Sequence, residues 1–160
     1  MPIRYSMPEL MEMAVETEKS GKQFYEAVAA ETKEPKLKEL FSFLSDEENR
    51  HVAAFQQLAK DLKERPEDLP YNWEEAALYL DAITHSRYFL GKGKALDLAR
   101  SAKTADEALT HAIGFEKETL LFYNEVLAMV AERNRPTVKK LIGEEKSHVV
   151  KLTQLKGTLA

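Results

Sequence analysis

Cysteine is absent from all 160 residues, which excludes disulfides, thiolate catalysis and any zinc or iron site built on sulfur. Redox chemistry in such a chain must use other ligands. No apolar run approaches the length that crosses a bilayer. The stretch Met1 to Leu10 contains Pro2, Arg4, Pro8 and Glu9 and lacks the apolar centre of a signal peptide. No membrane association and a cytoplasmic residence are therefore expected. The 23 basic and 27 acidic residues are mixed along the chain, with a net charge of -4, and no basic stripe large enough for nucleic acid emerges.

The length suits one domain, residues 1–160, with a single substantial core. Apolar residues at 44% and charged residues at 31% fit a soluble helical protein with wet outer faces. Ser6, Pro8 and Glu9 read as a helix start, and the periodic apolar pattern predicts a first helix over 8–31. Pro35, a favoured first-turn residue, opens a second over 35–63. The short connection makes these two an antiparallel hairpin. Asn72-Trp73-Glu74-Glu75 looks like a capping box for a shorter helix ending near Tyr88, interrupted by Gly91 and Gly93. Thr104 to Glu107 is a second capping box, predicting helices over 105–132 and 136–158 joined by another tight turn at Arg133 to Arg135. The expectation is an all-α, ferritin-like four-helix bundle: two hairpins joined by one long, helix-containing crossover between the second and third bundle helices.

One pattern occurs twice. Glu18 precedes Tyr25 on the first helix and Glu48-x-x-His51 follows on the second; Glu116 precedes Tyr123 and Glu145-x-x-His148 follows. Glu116 lies 98 residues after Glu18, and Glu145 lies 97 after Glu48. A single residue of slack in a loop separates two otherwise matched halves, so a pseudo-twofold bundle is expected.

Helical spacing places each polar residue on an inward face. Met11, Ala14, Glu18, Gly21, Tyr25 and Val28 form one stripe, and Leu109, Ala112, Glu116, Thr119, Tyr123 and Val126 its counterpart. Phe41, Leu44, Glu48, His51 and Phe55 match Val138, Leu141, Glu145, His148 and Leu152. Burying four carboxylates costs several kcal/mol per ion without strong partners, and few basic residues share these stripes. Two divalent cations would neutralise them. The i, i+3 spacing of Glu48 with His51, and of Glu145 with His148, advances about 4.5 Å along the axis and keeps both side chains on one face. Mixed oxygen and nitrogen ligation with open positions suits iron or manganese better than calcium or structural zinc.

The metal-ligand set is therefore Glu18, Glu48, His51, Glu116, Glu145 and His148. Tyr25 and Tyr123 are the candidate catalytic side chains, each placed either to pack in the core or to donate a hydrogen bond to a metal-bound carboxylate. Glu47 and Glu144 are rotated away from the ligands and read as surface residues or outer partners of the centre. His85 and His111 fall outside the repeat and read as structural or surface residues, and Trp73 as an anchor for the crossover.

This doubled set, together with the crossover, resembles the rubrerythrin branch of the ferritin-like superfamily across nearly the whole chain. The resemblance implies a di-iron centre and reduction of hydrogen peroxide, or oxygen, with electrons from a separate or fused donor. Rubrerythrins that carry a rubredoxin module hold its iron with four cysteines; with none here, an external electron-donor protein is implied. The better-studied members also carry a further Glu one turn after the third-helix ligand, which exchanges with a His as the iron changes oxidation state. Thr119 stands at that position. Its presence counts against that exchange and against fast peroxide turnover, and favours an iron-handling ferroxidase or iron-binding protein as the alternative. Two manganese ions with catalase chemistry, or a metal-stabilised helical interaction module without turnover, are the other readings. A homodimer is expected by the same resemblance.

Overall fold

The computed structural model describes residues 5–65, 73–89 and 93–160. Six helices occur among them, with no strands: α1 (Met7–Glu31), α2 (Pro35–Glu64), α3 (Trp73–Thr84), α4 (Lys94–Ser101), α5 (Ala105–Met129) and α6 (Arg135–Leu159). None is long and apolar enough to cross a membrane.

Local chemistry sets these boundaries. Ser6 Oγ accepts the Glu9 amide while the Glu9 carboxylate accepts the Ser6 amide at 2.6 Å, a complete capping box at the start of α1. Pro35 occupies the first turn of α2 beside the cap Glu34. Thr104 caps α5 through the Glu107 amide at 3.1 Å, but Glu107 reaches back to the Lys103 amide rather than to Thr104. The α5 helix ends at Met129, earlier than the expected Glu132. Val130 turns extended (φ -71°, ψ 149°) so that its side chain enters the core.

The crossover differs most from expectation. It holds two helices: α3 stops at Thr84, short of Tyr88, and α4 follows as a helix of eight residues. Gly93 is the N-cap of α4, with a left-handed φ of 87° that only glycine adopts freely. Two turns with two buried residues, Ala95 and Leu98, are too short for an apolar period to register in sequence. The expected capping residue Asn72 lies outside the described residues. Trp73 does pack against the core.

Two apolar clusters fill the bundle, one at each end. The first gathers Leu10, Met11 and Ala14 of α1 with Phe55, Tyr123, Val126 and Leu141. The second gathers Phe24 and Tyr25 with Phe41, Leu44, Leu109, Phe115 and Leu152. The order in which each helix visits the clusters makes α1 antiparallel to α2 and α5, and α2 antiparallel to α6. The crossover starts at the first cluster, to which α3 contributes Ala76, Leu80 and Ile83, and ends at the second, to which α4 contributes Ala95 and Leu98. It must travel the length of a 25-residue helix, about 38 Å at 1.5 Å per residue, which accounts for its length. Along this path α3 packs on α5 and α4 on α1.

Candidate metal centre

Each bundle helix passes from one apolar cluster to the other through the polar residues that sequence spacing placed inward. Glu18, Glu48, His51, Glu116, Glu145 and His148 are all at most 3% exposed. A Cβ on Gly21 would stand 3.4 Å from Glu48 Oε2, in ordinary contact, so α2 brings its carboxylate directly against α1 at this point.

The six side chains converge into two overlapping sets, Glu18, Glu48, His51 and Glu145, and Glu48, Glu116, Glu145 and His148. Within each set the ligand atoms lie within 4.8 Å of one another. Glu48 and Glu145 belong to both, which places them between two ion positions, with Glu18 and His51 on one side and Glu116 and His148 on the other. The imidazoles stack with centroids 5.5 Å apart. His51 Nδ1 is 2.6 Å from Glu145 Oε1 and 3.6 Å from Glu18 Oε2. His148 Nδ1 is 3.0 Å from Glu145 Oε2, 3.2 Å from Glu48 Oε1 and 3.4 Å from Glu116 Oε1.

These approaches are close, yet they lack hydrogen-bond alignment. Both Nδ1 atoms, both Glu145 oxygens, Glu18 Oε2 and Glu48 Oε1 are buried without a hydrogen-bond partner among the described residues. Native interiors rarely leave such groups unpaired, and here six of them face one another. The orphaned atoms belong to three carboxylates and two imidazoles, and with Glu116 beside them this donor set fits two divalent cations.

The electrostatics agree. Burial raises the Glu48 carboxyl well above its usual range, reinforced by the charges of Glu145, Glu18 and Glu116. Burial and Glu145 push Glu116 up to about 8 against the pull of His148. Burial also opposes ionisation of Glu145, but the His148 and His51 nitrogens beside it outweigh burial and hold it far below the usual range. Desolvation disfavours a charge on either imidazole, yet Glu145 and Glu18 push His51 up to about 11, and Glu116 and Glu145 push His148 up to about 10. These shifts show that the cluster's carboxylates cannot all be charged without protons or cations between them.

A family model for rubrerythrin matches residues 9–156 of this sequence. The chain belongs to the rubrerythrin family. Among solved structures, a ferritin-like diiron-carboxylate protein from Thermotoga maritima is similar to it at 25% identity. The TM-score is 0.72, and the likeness covers 98% of this chain and 97% of the other. No curated protein matches the chain.

Within this rubrerythrin-family chain the tyrosines cross between hairpins. Tyr25 of α1 donates to Glu116 Oε1 of α5, and Tyr123 of α5 donates to Glu18 Oε1 of α1. The expected bond of each tyrosine to a ligand carboxylate is present, and it crosses to the other hairpin because α1 and α5 run antiparallel. Burial and the neighbouring carboxylate raise both phenols well above their usual range, so they remain donors. Phe41 and Phe115 enclose Tyr25 at 4.9 and 5.3 Å, and Phe55 encloses Tyr123 at 4.7 Å.

Glu144 is the outer partner of a ligand: its Oε2 lies 2.9 Å from His51 Nε2, on the edge of the ring opposite the centre. The signal for it was the doubled Glu-Glu ahead of each His. Glu47 reaches within 4.8 Å of both imidazoles. His85 is exposed and bonds the Asp81 carbonyl. His111 is buried, with Nε2 at 3.2 Å from Ser101 Oγ and its ring against Tyr88, tying both crossover segments to α5.

Proposed function

We propose that this chain is a two-electron oxidoreductase that reduces hydrogen peroxide, or oxygen, at a pair of iron ions, with electrons from an external donor protein. The observation that carries this reading is the pair of overlapping donor sets sharing Glu48 and Glu145, since shared carboxylates hold two ions close enough to act on one small molecule. A bound iron pair would supply two electrons to the O–O bond, and two protons complete the conversion of peroxide to two waters. The residues set the conditions for that chemistry. Glu18 and Glu116 complete the two ends of the centre, each oriented by a phenol from the other hairpin. Glu144 fixes the proton of His51 on Nε2 and leaves Nδ1 as the ligand atom. Apolar clusters on both sides exclude bulk water.

Buried Thr119, where peroxide-reducing relatives carry a further carboxylate, favours a second reading: ferroxidase or iron-binding activity without peroxidase turnover. Protein purified anaerobically and loaded with ferrous iron, mixed with peroxide and separately with oxygen, distinguishes the two. Prompt oxidation by peroxide with iron retained supports the peroxidase. Oxygen consumption followed by ferric release supports iron handling. Oxygen evolution from peroxide by manganese-loaded protein would point to catalase chemistry, and two-metal stability without any turnover would overturn the enzymatic proposal.

A further inference from the structure

We propose that the outward face of α6 is the docking surface for the reducing partner, and that this partner is a small acidic electron-transfer protein. The inference rests on the function proposed above and adds to it where the donor binds and what charge it carries.

Counting Lys and Arg against Asp and Glu, α1, α2 and α5 carry formal charges of -4, -1 and -4, whereas α6 carries +4. The chain outside α6 therefore sums to -8. Of the two acids on α6, Glu145 is buried in the centre and Glu144 is turned to His51. The solvent side of this helix is thus left to its cations. Arg135 is engaged with the Leu127 carbonyl and Lys156 with Asp106. Lys139 and Lys146 are exposed and have no ion pair among the described residues. Lys140 comes no nearer than 3.9 Å to Glu144 and is 78% exposed, and Lys151 lies over the Phe43 ring of α2 at 5.7 Å.

Helical spacing sorts these four lysines into two rows. Lys139 and Lys146, seven residues apart, share one flank of α6, and Lys140 and Lys151, eleven apart, share the other. Between the rows lie Gly143 and Val150, the latter 53% exposed, and Phe43, 42% exposed, borders the second row. An apolar middle within a charged rim is the make-up of a docking patch. From Lys139 to Lys151 it runs about 18 Å along the axis, a small area of the kind that transient electron-transfer contacts use. An acidic protein is repelled by the rest of this surface and attracted here, so charge sets its orientation as well as its rate of encounter. The inner side of the same helix bears Glu145 and His148, so a partner seated on α6 stands about one helix diameter, 10–12 Å, from the centre. Two donor molecules, each losing one electron, would return the two irons from ferric to ferrous.

The test uses flavodoxin, a small acidic flavin protein, as the probe. Oxidised flavodoxin titrated into the isotope-labelled, metal-free full chain at low salt is expected to shift amide signals along residues 139–154, and the shifts should vanish at high salt. Reversing the four lysines together, Lys139→Glu, Lys140→Glu, Lys146→Glu and Lys151→Glu, should weaken binding at least about 10-fold. The matching set of Lys→Gln changes should weaken it less, and Lys117→Glu, on the exposed face of α5, not at all. In iron-loaded protein oxidised with peroxide, re-reduction by flavodoxin hydroquinone should slow by the same factor in the reversed variant. No binding, shifts on another face, or binding unchanged by the reversal would overturn the inference. Equally tight, salt-sensitive binding of duplex DNA would overturn it as well, by making α6 a general polyanion surface. Docking on α6 in a protein whose loaded form neither peroxide nor oxygen oxidises would instead overturn the function proposed above and leave the docking surface in place.

Discussion

The α1–α2 and α5–α6 hairpins each bury a matching set of three ligands, Glu18, Glu48 and His51 against Glu116, Glu145 and His148, to nearly the same depth, yet they differ at once outside it. Gly21 matches Thr119, Glu16 matches Gly114, and Arg50 matches Ser147. The inner positions answer to one shared demand, that carboxylates and imidazoles meet in a closed space. The outer positions answer to whatever packs on each hairpin, and only α5 has Tyr88 against it at Gly114. Two halves of a bundle can thus keep a common centre while their surroundings diverge.

Removing a shared carboxylate should break the comparison most completely. Glu48→Ala or Glu145→Ala, each taking a member from both donor sets, should abolish two-metal binding, whereas Glu18→Ala and Glu116→Ala should each leave one position. Elemental analysis after anaerobic loading decides this, and two tightly bound ions in Glu48→Ala would refute the ligand assignment.

A pH series comes next. His51 and His148, near 11 and 10 when folded against an ordinary 6.5, stabilise the metal-free fold fully below 6.5, and that contribution is lost as pH rises through 10 to 11. Glu116, near 8 against 4.5, has the same sign: its contribution is full below 4.5 and lost as pH rises through 8. The Tm of metal-free protein should therefore fall from about pH 6.5 to pH 10, beyond any fall in the loaded protein. Metal affinity should rise over the same range as protons leave the imidazoles. A Tm that climbs across this window would contradict the arrangement.

The reciprocal tyrosines sharpen the comparison. Tyr25→Phe and Tyr123→Phe each remove a buried hydrogen bond to a carboxylate, worth about 1.5–3 kcal/mol, and urea denaturation should give similar losses if the two borders of the polar layer are alike. Gly114→Ala should cost about 1–3 kcal/mol, because its Cβ would stand 2.8 Å from the Tyr88 ring. Glu16→Ala, at the matching exposed position of α1, should stay within about 0.5 kcal/mol.

The bundle helices and the inward ligands were legible in sequence because their signals are local and repeated. Caps at Ser6 and Thr104, prolines in first turns and a period that places Glu18 among Met11, Ala14 and Tyr25 all act within a few residues. The pairing of Tyr25 with Glu116, and of Glu144 with His51, depends on which helices run antiparallel and meet, which no window along one helix contains. Helix α4 escaped notice because eight residues with two buried positions are two turns of pattern. The end of α5 falls at Met129, where Val130 leaves the helix with an extended backbone and is buried in the core.

Of the crossover, α3 lies along α5 and α4 along α1, leaving α2 and α6, the helices that bear the imidazoles, without either helix packed across them. Glu144, on the outer edge of His51, is 35% exposed. The centre therefore has a front and a back. On the proposed function, ions, oxidant and reducing partner would approach from the front, near Arg50 and Lys140, on the side away from α3 and α4. On that function, a change to the charge of this one strip of surface would alter the rate of loading and of electron delivery together.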